Sequence, residues 1–357
     1  MLSRLRGGHV VIDQRAVGAQ APESALAGQA PARHPLLRFV VRRVAAGVAT
    51  LFVVSLLIFL AVNLLPGNVA DAVLGRHASP PLVAALSRHL GLDRPVISRY
   101  FSWLGGFLHG DMGQSAVALA QGEASASVSG IIGAPLLNSF VLALGAIVLV
   151  IPLSILFGTL AAVRAGKASD YAVSYSALMV GGLPEFVLGT FLILILFSEL
   201  HLLPPVALVP PGASPLDNVK QLVLPILTLT GVSLAFCSRQ VRAGVIEALR
   251  QDYVKLARLG GVREGRVRRR YALRNALAPS VQTFAQTVQY LLGGIIVVEA
   301  LYAYPGIGSL FVQAVELRDV TEVQAIALVL AAIYIVINIV ADLLVVFIVP
   351  KLRTGLQ

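Results

Sequence analysis

The sequence predicts an all-α membrane protein that crosses the bilayer about six times. Hydrophobic residues make up 57% of the 357 positions and charged residues only 13%, against roughly 25% charge in an ordinary soluble domain. The mean hydropathy is +0.82. Six apolar runs recur along the chain, each near the roughly 20 residues needed to cross the hydrocarbon core of a bilayer. A water-soluble core cannot hide that much apolar surface. Helix is the expected spanning form, because isolated strands leave backbone groups unpaired in lipid and an outer-membrane barrel shows alternating segments of about ten residues instead.

Residues 1–35 are rich in Ala, Gly, Gln and Arg and contain no apolar stretch long enough for a signal-peptide core, so they read as a disordered cytoplasmic tail. Its arginines (Arg4, Arg6, Arg15, Arg33) either touch anionic lipid or stay solvated. Residues 36–357 form the transmembrane domain. Its apolar runs extend from Val44 to Leu65, Leu137 to Val163, Tyr171 to Phe197, Leu222 to Ser238, Val281 to Val298 and Val323 to Phe347.

Lys and Arg set the orientation. Arg38, Arg42 and Arg43 precede the first run, Arg164 and Lys167 separate the second from the third, and Lys351 and Arg353 follow the last. Eleven basic residues lie between Arg239 and Arg274, in the connection from the fourth run to the fifth (239–279). With six crossings all these regions share one side, and the positive-inside rule makes that side the cytoplasm. Both termini are then cytoplasmic. The same distribution accounts for the net charge of +10 without a nucleic-acid partner, since the excess sits in short loops beside apolar segments.

The outward connections differ in character. Residues 66–136 carry LGLDRP (Leu90–Pro95) and RYFSWLGGFLHGDMGQS (Arg99–Ser115). Phe101, Leu104 and Leu108 recur there at helical spacing and predict an amphipathic helix at the membrane interface, a level that suits Tyr100 and Trp103. Between the third and fourth runs, five prolines in Leu202–Pro215 forbid a regular helix. Cys237 is the only cysteine and lies in an apolar run, so no disulfide framework is possible within the chain. His77, His89, His109 and His201 are scattered without metal-ligand spacing, and no metal site is expected.

The most informative stretch is EALRQDYVKLARLGGVREGRVRRRYALRNALAP, from Glu247 to Pro279. Val245, Ala248, Leu249, Val254, Leu256 and Ala257 follow a helical pattern and predict one helix from Val245 to Leu259. Gly260 and Gly261 then break it, because glycine disfavours helix interiors and readily takes the left-handed conformation that ends a helix. A second helix, basic on one side and apolar on the other, is expected from Glu264 to Leu277, with Pro279 at the start of the fifth span. A pair of short helices at a glycine corner suits a groove on a soluble partner. A topology signal needs only charge and not this order of elements.

At these residues the chain resembles the inner-membrane permease subunits of binding-protein-dependent ABC importers, in their dipeptide, oligopeptide and nickel branch. DYVKLARLGG (Asp252–Gly261) and YALRNALAP (Tyr271–Pro279) are similar to that family's loop before the penultimate span, DYVxxARxxG followed by HALRNALxP. The resemblance extends to LLPGN (Leu64–Asn68), LPEFVLG (Leu183–Gly189), VVEALYAYPGIGSL (Val297–Leu310) and Asp342. Tyr271 stands where the family often has His, and VPKLR (Val349–Arg353) replaces an ending usually closer to DPRxR. The resemblance implies a type I importer permease architecture in a bacterial inner membrane. It also implies that Asp252, Tyr253, Ala257, Arg258, Gly260, Gly261, Arg274 and Asn275 couple the chain to a cytoplasmic ATPase. The implied partners are a homologous permease subunit in a heterodimer, two ATPase subunits or domains that hold ATP and Mg, an extracytoplasmic solute-binding protein, and membrane lipid. Dipeptides, oligopeptides, glutathione-like solutes and nickel chelates all remain open as cargo.

Candidates for the pathway or its gate are Glu185, Glu299, Tyr304, Pro305 and Gly306. Glu185 falls near the middle of the third run, where an ionisable group costs roughly 3 kcal/mol unless it faces protein or water. It either faces the pathway or locks helices together as a protonated or paired carboxyl. Glu299 and Asp342 lie near the ends of their runs, within reach of water, and a pairing or capping role is expected of each. Tyr304–Gly308 has the proline and glycines of a tight turn or re-entrant loop, which forms part of an outer gate or a plain surface turn. The chain contains no GxxxxGK[ST] loop, GxSxG elbow or HExxH helix, so ATP hydrolysis is expected on another polypeptide. A secondary transporter is the rival class, although such proteins usually show internal repeats and ionisable groups clustered near the midplane. A membrane-embedded enzyme would need a convergent set of catalytic groups, and none is visible.

Overall fold

A computed structural model describes residues 35–63, 69–74, 78–89, 91–122, 127–210 and 212–348. The expected tail up to residue 34, the LLPGN motif, His77 and the VPKLR ending lie outside the described residues. In chain order the elements are α1 (Pro35–Asn63), α2 (Val69–Leu74), α3 (Pro80–His89), α4 (Val96–Leu108), α5 (Ala116–Ala120), α6 (Val128–Val163), α7 (Ala168–Gly181) and α8 (Glu185–Ile193). A π-helical turn (Leu194–Glu199) extends α8, and a 3₁₀ turn (Pro215–Asn218) leads into α9 (Val219–Arg250). Then come α10 (Asp252–Leu259), α11 (Glu264–Arg266), a π-helical segment (Val267–Leu273), α12 (Arg274–Leu301), α13 (Ile307–Glu316) and α14 (Val320–Ile348).

Five helices are long and apolar enough to span: Leu37–Asn63, Val128–Val163, Pro215–Arg250, Ser280–Leu301 and Val320–Val346. The third expected run is not one straight helix. It is α7 and α8, bent by 107° at their junction, and the pair makes the sixth candidate span. Proline at 184 lacks the N–H a continuing helix would use and pushes the residue before it towards extended backbone. Glu185 therefore stands in the first turn of α8 and not at mid-helix.

Other boundaries move for equally local reasons. The second span starts at Val128 and not at Leu137, because Ser127 caps α6 by accepting the Gly130 N–H. The fourth expected run, Leu222–Ser238, lies within a longer helix that opens at a capping box formed by Ser214 and Asp217. Arg239 and Arg242, expected in a loop, are consequently helical. Arg38, Arg42 and Arg43 ride on α1 itself, where long stems let the charged ends reach the interface. Arg43 Nε lies 3.1 Å from Asp342 Oδ2 and ties α1 to α14, the pairing role expected of Asp342.

Helix α9 is the centre of the bundle: 61% of its spanning window is buried, against 17% for α1 and for α14. Its closest neighbour is α6. At Gly158 a side chain would run into the Ser238 carbonyl and Val241, so the backbones meet there, as small residues allow in membrane bundles. Leu142, Leu224, Leu229, Leu291, Ile295 and Tyr302 fill the core between α6, α9 and α12. Val48, Leu57, Val336 and Val340 are exposed on α1 and α14, the faces available to lipid.

Between the first two spans, α4 is the expected amphipathic helix, with Phe101 and Leu108 exposed. Tyr100 and Trp103 do not sit at an open interface, however. The ring centroids of Tyr100 and Trp103 lie 5.3 Å and 5.9 Å from that of Phe59 on α1, and the Tyr100 hydroxyl is 2.9 Å from Ser55 Oγ. Packing of these two aromatic side chains against a third on the span outweighs their display at the surface. Between 202 and 214 the described residues form no regular helix, and the Ala207 N–H donates to the Tyr302 carbonyl at 2.8 Å.

Candidate functional site

The segment between α9 and α12 does not form the single helix expected over Val245–Leu259. Helix α9 ends at Arg250, Gln251 is extended (φ −67°, ψ 150°), and α10 starts afresh at Asp252. An acidic residue in the first turn of α10 was the available signal, since carboxylates favour helix N-termini. Residues 239–250 of the basic connection thus continue α9, and residues 274–279 belong to α12.

Helix α10 ends in a two-bond glycine turn. The Gly261 N–H donates to the Arg258 carbonyl at 3.0 Å, and the Val262 N–H donates to the Ala257 carbonyl at 3.1 Å. This is the Schellman arrangement, which requires a left-handed residue just past the helix end. Gly261 supplies it at φ +75°, while Gly260 keeps an ordinary φ of −75°. Across the turn, Arg258 grips Glu264 with Nη2–Oε1 at 2.9 Å and Nε–Oε2 at 3.1 Å. Arg268 stands 3.7 Å from the same carboxylate, and Lys255 pairs with Asp252 at 2.8 Å.

The second helix differs from expectation as well. Only Glu264–Arg266 is α-helical; the chain then widens into the π-helical Val267–Leu273 and runs straight into α12. Residues 278 and 279 therefore lie inside a helix, and Pro279 immediately precedes the spanning part of that helix, Ser280–Leu301, although the helix itself begins at Arg274. The wider winding keeps Val267 and Ala272 both buried, and Ala272 and Ala276 pack on Val241, Val245 and Ala248 of α9.

Val254 anchors α10 inward, fully buried. Tyr253, Leu256 and Leu259 point the other way, with Leu256 67% and Leu259 85% exposed. Arg274 and Asn275 are exposed at the base of the element, and the Asn275 side-chain amide donates to the Tyr271 carbonyl at 2.9 Å. The result is a projecting knob with an apolar tip and a rim of basic residues.

Ion pairing tunes the knob. Arg258 pulls the Glu264 carboxyl below its ordinary pKa of 4.5, and Glu264 in turn raises Arg258. A depressed carboxylate pKa contributes stability that is present above the unfolded value and lost as pH falls through the folded one. Both side chains are over 40% exposed, so a double-mutant cycle with Arg258→Gln and Glu264→Gln is expected to give a coupling of about 0.5 kcal/mol at pH 7. The coupling should vanish in 1 M salt, where the Debye length is about 3 Å, and should be lost as pH falls through the depressed Glu264 pKa. Persistence of the coupling in high salt would contradict this account.

The pathway candidates fall into two places. Glu185 is half-buried and accepts a short hydrogen bond from the Tyr290 hydroxyl on α12. Glu299 is fully buried, away from the water expected near it. Its Oε1 accepts from Ser139 Oγ at 2.5 Å, and its Oε2 accepts from the N–H groups of Gly308 and Ser309 at 2.7 and 3.2 Å. The carboxylate therefore caps the start of α13 and pins it to α6. Tyr304, Pro305 and Gly306 form the turn just before it: the Tyr304 hydroxyl donates to the Asn138 carbonyl and the Asn138 amide donates to the Pro305 carbonyl, both at 2.8 Å. A tight turn was expected there; its anchorage on Asn138 and Ser139 was not.

A further pair escaped the sequence altogether. Asp170 at the start of α7 accepts Nε and Nη2 of Arg242 on α9 at 2.6 and 2.8 Å. Only an ionisable residue next to a span hinted at it, and nothing local connects positions 170 and 242.

The binding-protein-dependent transport system inner membrane component family matches residues 154–354, and the N-terminal family of the same membrane components matches residues 36–128. The chain belongs to this family of transport permeases. Among the relatives of this inner membrane component, one from Brucella abortus is named as a peptide transport system permease protein. It is 33% identical over 314 residues, 88% of this chain and 98% of its own length. Glutathione transport system permease proteins of Shigella flexneri and Escherichia coli are each 33% identical over 318 residues, 89% of this chain and 99% of theirs. The N-terminal match covers α1 to α5, and the other covers the last turns of α6 and everything from α7 to α14, the knob included. As a component of this kind, the chain is a membrane permease subunit working with a binding protein.

Proposed function

We propose that this permease forms half of a transmembrane pathway for di- or oligopeptides and takes its driving force from a separate ATPase bound at the α10–α11 knob. The observation that carries this reading is the exposure of Leu256 and Leu259 on a rigid glycine turn. Apolar side chains held that far into water call for a groove on a partner, as an amphipathic helix does. Asp252, Tyr253, Ala257, Arg258, Gly260 and Gly261 would build the docking turn, with Arg274 and Asn275 at its base.

In this reading the domain is residues 36–357, with the loop 66–136 outside and 239–279 and both termini in the cytoplasm. The chain has no catalytic site of its own, and ATP and Mg reside on two ATPase subunits. The other half of the pathway is a homologous permease subunit. ATPase closure moves the two docked knobs and rocks the permease halves about a central cavity. Glu185 lines that cavity, while Glu299, Tyr304, Pro305 and Gly306 frame its outer end. A glutathione-type cargo is the second reading, favoured by the relatives named as glutathione permeases.

Gly261→Val tests the coupling role. Its side chain would meet open space, so the cost is confined to forcing a β-branched residue to φ +75°. Expected is a complex that inserts and folds normally, keeps ATP turnover in proteoliposomes, and loses ATP-driven peptide uptake by at least tenfold. Gly265→Ala, in open space without a positive φ, serves as the control. Uptake at normal rates in Gly261→Val would remove the docking role.

A further inference from the structure

Glu185 stands in a cleft of about 580 Å³ between α8, α12 and α14, within the range of about 300–1,000 Å³ typical of small-molecule sites. Gly293 and Gly294 lie along one wall and Tyr290 and Tyr334 flank it; Glu185 is the one formally charged side chain among the described residues that line it. At Gly294 a side chain would come within 3.2 Å of Glu185 Oε1, so the bare backbone makes room for the carboxylate.

The partners of this carboxylate differ from those of three other acids in the bundle. Asp170 and Asp342 have arginine partners, and Glu299 caps α13. Glu185 has neither: none of the ion pairs among the described residues includes it. Its hydrogen bond goes across to Tyr290 and not to an N–H of its own helix. A half-buried carboxylate at membrane depth without a cation is costly. The cost is tolerated where a cation arrives from outside the chain.

We propose that the Glu185 cleft is a binding station for a protonated amine on the transported solute. The ammonium donates to the carboxylate in charge-assisted hydrogen bonds, and the half-exposed rings of Tyr290 and Tyr334 offer faces for cation–π contact. An acidic group in the same place is repelled. This inference rests on the peptide-permease reading. The amine is either the N-terminal ammonium of a peptide or a lysine side chain.

The test uses the complete transporter, purified with its partner subunits and binding protein and reconstituted in proteoliposomes. ATP-driven uptake of tri-alanine, Ala-Lys-Ala, N-acetyl-Ala-Lys-Ala and N-acetyl-tri-alanine is compared in the unmodified complex, Glu185→Gln and Glu185→Asp. Glu185→Gln is expected to lower uptake of Ala-Lys-Ala by about tenfold, a difference of about 1.4 kcal/mol, and that of N-acetyl-tri-alanine by less than twofold. Glu185→Asp retains the preference for amines. An equal fall for N-acetyl-Ala-Lys-Ala marks the lysine side chain as the bound group; an equal fall for tri-alanine marks the terminal ammonium. A parallel fall for all four peptides, or no fall at all, overturns the proposal while leaving the permease reading intact. Absence of peptide uptake by the unmodified complex overturns both.

Discussion

Replacing Arg242 with alanine is expected to destabilise the protein by about 3 kcal/mol, because it leaves the Asp170 carboxylate buried without its cation. The Asp170 side chain is 3% exposed. Besides the two bonds from Arg242, it accepts the Gly166 N–H at 2.9 Å and Ser174 Oγ at 3.2 Å. Arg242 ties the start of α7 to α9, Gly166 ties it to the turn before it, and Ser174 braces the carboxylate within α7. Removing one partner of a buried pair costs about 3–5 kcal/mol, and the lower end applies because Arg242 is 31% exposed and water can reach the vacated place. Thermal unfolding in detergent micelles reads the effect. The double variant Asp170→Asn with Arg242→Gln should recover more than half of the loss, since no charge is then stranded. A loss below about 0.5 kcal/mol in Arg242→Ala would mean that the pair lies in effectively aqueous surroundings.

Gly306→Ala should be at least as damaging despite adding a single methyl group. A Cβ at this position would overlap the carboxylate of Glu299. That carboxylate cannot yield, because it holds Ser139 Oγ and the N–H groups of Gly308 and Ser309, and Ser139 Oγ itself accepts the Ile307 N–H at 2.8 Å. Moving it aside strands several buried donors, each worth about 1–3 kcal/mol. A total near 4 kcal/mol is expected, read as a collapse in the yield of folded protein and in its thermal midpoint. Glu299→Gln, which keeps the shape and one acceptor oxygen, should lose about half as much. Normal folding of Gly306→Ala would show that the turn and α13 do not depend on the Glu299 cap.

These residues also show where sequence reasoning reaches and where it stops. The knob was legible because its signals are local: Gly260 and Gly261 follow α10 directly, and the left-handed turn at Gly261 is a property of a few neighbouring residues. Its subdivision was less so. Gln251 is not a helix breaker by type, and only Asp252 after it marks a new start. Periodicity could not reveal the π-helical widening at Val267–Leu273 either, since that follows from burying Val267 and Ala272 together.

The chain itself, without its folded partners, determined that this protein lives in a bilayer, where its spans lie, and that a glycine-cornered element separates the last two from the rest. Each of those features follows from free energies local in sequence: transfer of an apolar run into lipid, the backbone freedom of glycine, and the charge beside a span. Tertiary structure alone decided which partners three of the acids find. Asp170 finds its cation 72 residues away, Glu299 finds Ser139 160 residues away, and Glu185 is left without a counter-charge. Low dielectric surroundings make such pairings decisive, and only the packing of α7 on α9 and of α6 on α12 brings the partners within reach.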